Sequence, residues 1–218
     1  LWYGRYTPYA EVKTGSRTKE VFFKKEDFTV MHHDERRLLV AVRTPYLHID
    51  VYVGHSPHSG NSAACLDEWW KQTMHVLRQR RHAGTDVLFL FDVNGKIGSS
   101  TSPAVGDCWA NEETRNGWHF HCMLQEFRAF APSTFHDMQK TTRTEAGTWT
   151  DKKGDKHRID FVGLPASWKK GEVQAWVDQE LELLHKAEDH RPACVDMVLH
   201  FENERLQEGC QWRTTDKV

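Results

Sequence analysis

Three polar clusters stand where β-rich runs of this 218-residue chain break off. The first is Gly54-His55-Ser56-Pro57-His58 and the second is Phe91-Asp92-Val93-Asn94-Gly95. The third joins Arg158-Ile159-Asp160 to Glu188-Asp189-His190-Arg191-Pro192. Carboxylates, imidazoles and a carboxamide are the groups that move protons, hold a hard cation and donate to an anion. In sheet proteins such groups gather just beyond strand ends. Each cluster also has a plainer reading. Asn94-Gly95 after an apolar run is a common hairpin turn. His55 is one of 14 histidines spread over the chain. Asp189-His190 ahead of a proline suits a turn before a last strand. Singly, none of them selects a function.

The elements that must position these groups follow from hydrophobic spacing. Leu38-Leu39-Val40-Ala41-Val42 and Ile49-Asp50-Val51-Tyr52-Val53 predict neighbouring strands. The first is apolar on both faces and therefore central. Leu66, Trp69, Trp70, Met74 and Leu77 recur at three- and four-residue spacing and predict a helix from Ser62 to His82. Asn61 or Ser62 caps its start, and Gly84 ends it in a left-handed conformation. Val87-Leu88-Phe89-Leu90-Phe91 is a buried strand. A second helix is predicted over Gly117–Phe127, with Phe120, Leu124 and Phe127 on one face and Asn116 as its cap. Thr148-Trp149-Thr150 and Arg158 to Val162 flank a glycine-containing turn and predict a hairpin. Val173, Ala175 and Val177 alternate, as do Ala193, Val195, Met197 and Leu199. Strand, helix and strand in succession imply a layered α/β sheet. No repeat, low-complexity stretch or domain boundary interrupts it, so residues 1–218 are expected to form a single domain.

Composition narrows the classes. A hydrophobic share of 39% with nine Trp and eleven Phe belongs to a packed chain, not a disordered tail. The net charge of −2 creates no global field for a polyanion, so nucleic acid would need local patches. The basic runs Arg78, Arg80, Arg81, His82 and Lys152, Lys153, Lys156, His157, Arg158 are candidates, although a solvated charged face is the commoner role. Five scattered cysteines without a Cys-x-x-Cys fit free thiols in a reducing compartment. His32-His33, His55-x-x-His58 and His119-x-His121 lack a cysteine pair at finger spacing, which argues against zinc. Val87–Phe91 is too short to span a bilayer.

Taken in order, these motifs resemble the endonuclease/exonuclease/phosphatase family, the group of pancreatic deoxyribonuclease and the abasic-site endonucleases. The series is a strand with a His loop, a buried strand ending Asp-x-Asn, a Thr-Trp pair, an Ile-Asp-Phe strand, and Asp-His with Pro two residues on. It covers about Leu38 to Leu199 and is far more specific than any member alone. The resemblance implies a four-layered α/β sandwich that hydrolyses phosphate esters with Mg²⁺ or Mn²⁺. Asp160 and His190 resemble the Asp–His pair that acts on water or phosphate. Asp92 resembles the carboxylate that handles the water or leaving oxygen, at the metal. Asn94 resembles the amide that donates to a phosphate oxygen, Asp189 the acid at the metal's edge, and His55 the second, phosphate-facing histidine.

Phe28 to Val42, Pro132-Ser133-Thr134-Phe135, Gly147-Thr148-Trp149 and His157 to Phe161 are most similar to endonuclease domains of non-long-terminal-repeat retroelements. That likeness implies DNA as partner, a linked reverse transcriptase domain, no membrane, and an intracellular site, nuclear or cytoplasmic. Three departures bear on it. Phe91 stands where the family has Gly, and a bulky residue there could displace Asp92. Glu188 replaces the usual Ser and adds a carboxylate beside His190. The family's Asn and metal-ligating Glu would both precede Leu1, and neither Glu11 nor Glu20 stands at a strand end. The resemblance thus implies a partial domain without its first strands, weakly active or inactive by itself. A phosphatase or lipid phosphodiesterase of the same fold, or a degenerate binding module, is the alternative.

Overall fold

The computed structural model describes residues 9–14, 17–22, 24–44, 47–180 and 190–198, with side chains from residue 24 onward. The chain begins with the strands β1 (Tyr9–Thr14), β2 (Arg17–Phe22), β3 (Phe28–His33), β4 (Arg37–Arg43) and β5 (His48–His55). Helix α1 (Ala63–Arg80) leads to β6 (Val87–Asp92), and α2 (Arg115–Glu126) to the short β7 (Ala129–Phe130). Then come β8 (Trp149–Thr150), β9 (Lys156–His157), β10 (Asp160–Pro165), β11 (Glu172–Val177) and β12 (Ala193–Val198). Six of these strands form one sheet in the order β3-β4-β5-β6-β10-β7. The two β-branched runs do pair, as β4 and β5, and β4 is an interior strand. β6 lies parallel to β5 after the α1 crossover, and β10 lies antiparallel to β6.

Period-two alternation sorts the sheet's side chains to two faces. Leu39, Tyr52, Val87, Phe89, Phe91 and Phe161 face the helices and pack with Trp69, Trp70, Phe120 and Leu124. Val162 and Leu164 face the other way and pack with Phe130 and Val173, joined by Ala193 and Val195. β11 and β12 pair antiparallel, as their alternation predicts, and cover that second face beside β10. The expected mixed α/β class is therefore present. Helices, six-stranded sheet and β11–β12 supply three of the expected four layers among the described residues.

A column of stacked rings ties the helices to the sheet. Tyr52 lies 5.8 Å from Phe91, Phe91 lies 5.3 Å from Trp70 at 8°, and Trp70 lies 5.7 Å from His119. Phe91 thus sits in regular strand and does not push Asp92 aside. The room comes from the neighbouring strand, where Gly54 is its register partner. A Cβ on Gly54 would meet the Phe91 ring at 2.5 Å.

Ser62 caps α1 by accepting from the Cys65 N–H, but the helix ends at Arg80, and Gly84 takes its positive φ of 78° in the turn beyond. α2 begins two residues earlier than spacing suggested, with Thr114 and not Asn116 as its cap. Asn116 is buried inside, accepting from Trp70 Nε1 (2.9 Å) and donating to the carbonyls of Pro57 (2.8 Å) and Asn94 (3.2 Å). The hairpin after Thr148 is real but shorter, β8 with β9. The residues after Arg158 instead enter the large sheet as β10. No helix among the described residues is long and apolar enough to cross a membrane.

Candidate active site

Register brings three of the clusters to one rim. His55 at the end of β5 is the partner of Asp92 at the end of β6. Asp92 is in turn the partner of Asp160 at the start of β10. With strands about 4.8 Å apart, these side chains form one row. His190 joins from the segment before β12, its Nδ1 3.0 Å from Asp160 Oδ2. The His55 ring Nε2 lies 3.5 Å from Asp92 Oδ2.

Thr148 and Trp149 hold the two halves of the Asp160–His190 pair together. The buried Thr148 hydroxyl accepts from the N–H groups of Ile159 and Asp160, both at 3.0 Å. Its carbonyl accepts from the Arg191 N–H at 2.7 Å, and Trp149 bridges to His190. Asp92 is anchored from the other side. Its Oδ1 accepts from the Asn94 N–H at 3.0 Å, while its carbonyl accepts from the Ser56 N–H at 2.9 Å. Asn94 adopts a left-handed backbone (φ 47°) that this residue type tolerates. Its side-chain amide donates to the Ser56 carbonyl at 2.9 Å. Among the described residues the next element after β6 is α2 and not a strand paired back onto it, so Asn94-Gly95 is a strand-to-loop turn and not a hairpin.

Burial pushes the Asp92 carboxyl up to about 6, and the neighbouring Asp160 charge adds to it. The Asn94 N–H and the charges of His190 and Arg36 oppose this. Burial also lowers the His55 pKa, and Arg36 and His190 lower it further. Ligand atoms of Asp92, Asp160 and His190 all lie within 4.8 Å of one another, the spread of donors around a single cation. It is the one such cluster among the described residues. Two carboxylate oxygens suit a hard cation, and a bound cation would offset the burial and the Asp160 charge that raise the Asp92 pKa.

Of the residues singled out by sequence, the structure brings together His55, Asp92, Asn94, Asp160 and His190. Asp189 and Glu188 lie outside the described residues. Glu11 and Glu20 are register partners in mid-strand on β1 and β2. The other histidines of the excluded zinc patterns are dispersed: His119 on Asp67, His121 on Glu113, His32 on Asp34. The basic runs change meaning. Arg78 is bound bidentately by Glu126 at 2.7 Å, and Arg81 lies over the Phe127 ring. Arg158 is 5% exposed and donates to the carbonyls of Ser133, Cys108 and Trp109, so it ties loops together instead of meeting solvent. Burial brings its pKa down to about 10. Sequence reasoning passed over Arg36, whose Nη1 reaches the His55 carbonyl at 3.4 Å. Its one signal is position, next before the strand that pairs with the His55 strand.

No protein-family model matches the chain, and no curated protein sequence matches it. Solved structures do. An AP endonuclease from Archaeoglobus fulgidus aligns over 88% of this chain and 80% of its own, at 17% identity and a TM-score of 0.56. The 3′ phosphatase NExo from Neisseria, bound to a product DNA hairpin, aligns over the same shares at 18% identity and 0.53. The endonuclease domain of TRAS1, a telomere-specific non-LTR retrotransposon, aligns over 89% and 81% at 13% identity and 0.51.

Proposed function

On a chain with the endonuclease/exonuclease/phosphatase fold, we propose that the rim formed by Asp92, Asp160 and His190 hydrolyses phosphodiesters of DNA with Mg²⁺ or Mn²⁺. The observation that carries this is the meeting of an Asp–His pair with a second carboxyl poised near pH 6. An ionised Asp160 can only accept, so His190 Nδ1 carries the proton and Nε2 keeps its lone pair. His190 then takes a proton from the attacking water, and its charged form is held by Asp160. Asp92 serves the leaving oxygen. Asn94 spends one amide N–H on Ser56 and directs the second to a phosphate oxygen. Neutral His55 donates beside it. A cation held by Asp92 and Asp160, with Asp189 at its edge, would offset the charge that spreads over the phosphoryl oxygens.

The sequence likeness to retroelement endonuclease domains, with which the fit to the TRAS1 domain is compatible, supports a retroelement endonuclease with a linked reverse transcriptase. With His190 engaged in proton transfer, Asp92 and Asp160 are few protein ligands for a hard cation among the described residues, so weak cleavage is expected. The fit to NExo, a 3′ phosphatase, supports the second reading, a phosphatase. A metal-dependent cleavage assay on labelled duplex DNA separates them. Competition by unlabelled DNA and not by inositol phosphates is expected. Release of inorganic phosphate from a 3′-phosphorylated duplex without internal nicking would replace the endonuclease reading with the phosphatase one.

A further inference from the structure

The catalytic row has a cation at its far end. The Arg36 carbonyl accepts from the His55 N–H at 2.9 Å, which places Arg36 opposite His55, one strand beyond it from Asp92. The order along the rim is thus Arg36, His55, Asp92, Asp160, with His190 on Asp160. The turn that presents Arg36 is closed. The Asp34 N–H donates to the Arg37 carbonyl at 2.9 Å, and Asp34 Oδ1 accepts from the Arg36 N–H at 2.9 Å. Arg37, next to it, is committed to Asp34 and Gln72. The Arg36 guanidinium is exposed and makes one long bond, 3.4 Å to the His55 carbonyl. Among the described residues no carboxylate pairs with it, and its charge is nonetheless felt at both Asp92 and His55.

A planar, permanently charged donor held at the edge of such a row is suited to a phosphate oxygen pair. Three strand spacings, roughly 14 Å, separate its backbone from that of Asp160. The Arg36 Nη1 stays at the His55 carbonyl, on the side of His55 away from Asp92, so it stands beyond the cut phosphate and not on it. We infer that Arg36 binds a second phosphate of the substrate, flanking the one that is cut, so that the substrate is a chain of linked phosphodiesters and not a small phosphate ester. This rests on the proposed function of the same site.

Binding in EDTA, where nothing is cut, tests it. Fluorescence anisotropy of a labelled duplex oligonucleotide is followed from about 50 to 200 mM salt for the wild type, Arg36→Ala and Arg36→Lys. Loss of one phosphate contact lowers the magnitude of the log–log salt slope by about 0.9. Arg36→Ala should therefore lose about 3-fold less affinity than the wild type over that range. Arg36→Lys should keep the wild-type slope. A merely structural role would lower thermal stability and leave the slope alone. An unchanged slope in Arg36→Ala, or an equal loss by that variant in binding a mononucleotide with a single phosphate, overturns the inference while leaving the site reading intact. A wild type that binds no oligonucleotide at the lowest salt overturns both.

Discussion

Replacing Asp92 by Asn removes a carboxyl that the fold keeps against its own ionisation. Burial first, and then the Asp160 charge, lifts its pKa from 3.8 to about 6. The side chain is 21% exposed, so solvent screens little of this. A rise of about 2 units corresponds to about 3 kcal/mol at 1.36 kcal/mol per unit. The sign follows from which state holds the proton. Between pH 4 and 6 the folded protein keeps a proton that the unfolded chain has released, so stability falls as pH climbs through that window. Above it the whole penalty is present. Asn cannot ionise and retains an oxygen for the Asn94 N–H. In EDTA at pH 7.5, Asp92→Asn should therefore be more stable than the wild type by about 3 kcal/mol in urea unfolding, with a melting rise of about 6–12 °C. Below pH 4 the two should coincide. A variant that is less stable at pH 7.5, or equally stabilised at both pH values, would refute the reasoning. The expected result marks a site whose charges are set for a ligand at the expense of the apo fold.

Other perturbations follow from the same geometry. Gly54→Ala, driving a Cβ into the Phe91 ring, should cost about 1–3 kcal/mol. Adding Phe91→Leu should recover part of that in a double-mutant cycle of urea midpoints. Thr148→Val strands the N–H groups of Ile159 and Asp160 and should cost about 2–5 kcal/mol. Thr148→Ser should restore most of it in the same measurement. Mn²⁺ at a hundredfold excess over its dissociation constant should stabilise the wild type by about 2.7 kcal/mol in thermal melts. In Asp160→Asn that gain should largely vanish.

The strands and helices were legible because their apolar spacing is local. Leu38–Val42, Val87–Phe91 and the Leu66–Leu77 stripe carry their period in the chain itself. The candidate site residues stood out as strand-end clusters in a recognisable order. What failed were judgements about polar side chains whose partners lie far away in sequence. Asn116 stands where a cap would stand, yet Thr114 takes that role and Asn116 meets Trp70, 46 residues earlier. Arg158 belongs to a basic run but turns inward to carbonyls 25 to 50 residues away. Phe91 departs from the family's glycine, and only the β5–β6 register reveals that Gly54 supplies the missing space. Arg36 gains its place solely from pairing beside His55, which no local pattern encodes.

The central claim is that Asp160 and His190 act as one unit with Asp92 on a phosphodiester. Incubating the purified chain with supercoiled plasmid and Mg²⁺ or Mn²⁺ addresses it most directly, with Asp160→Asn and His190→Ala as partners. Slow nicking that needs the cation and disappears in both variants is the predicted result. Nicking that persists undiminished in His190→Ala, or no nicking with either cation at any enzyme concentration, would contradict it.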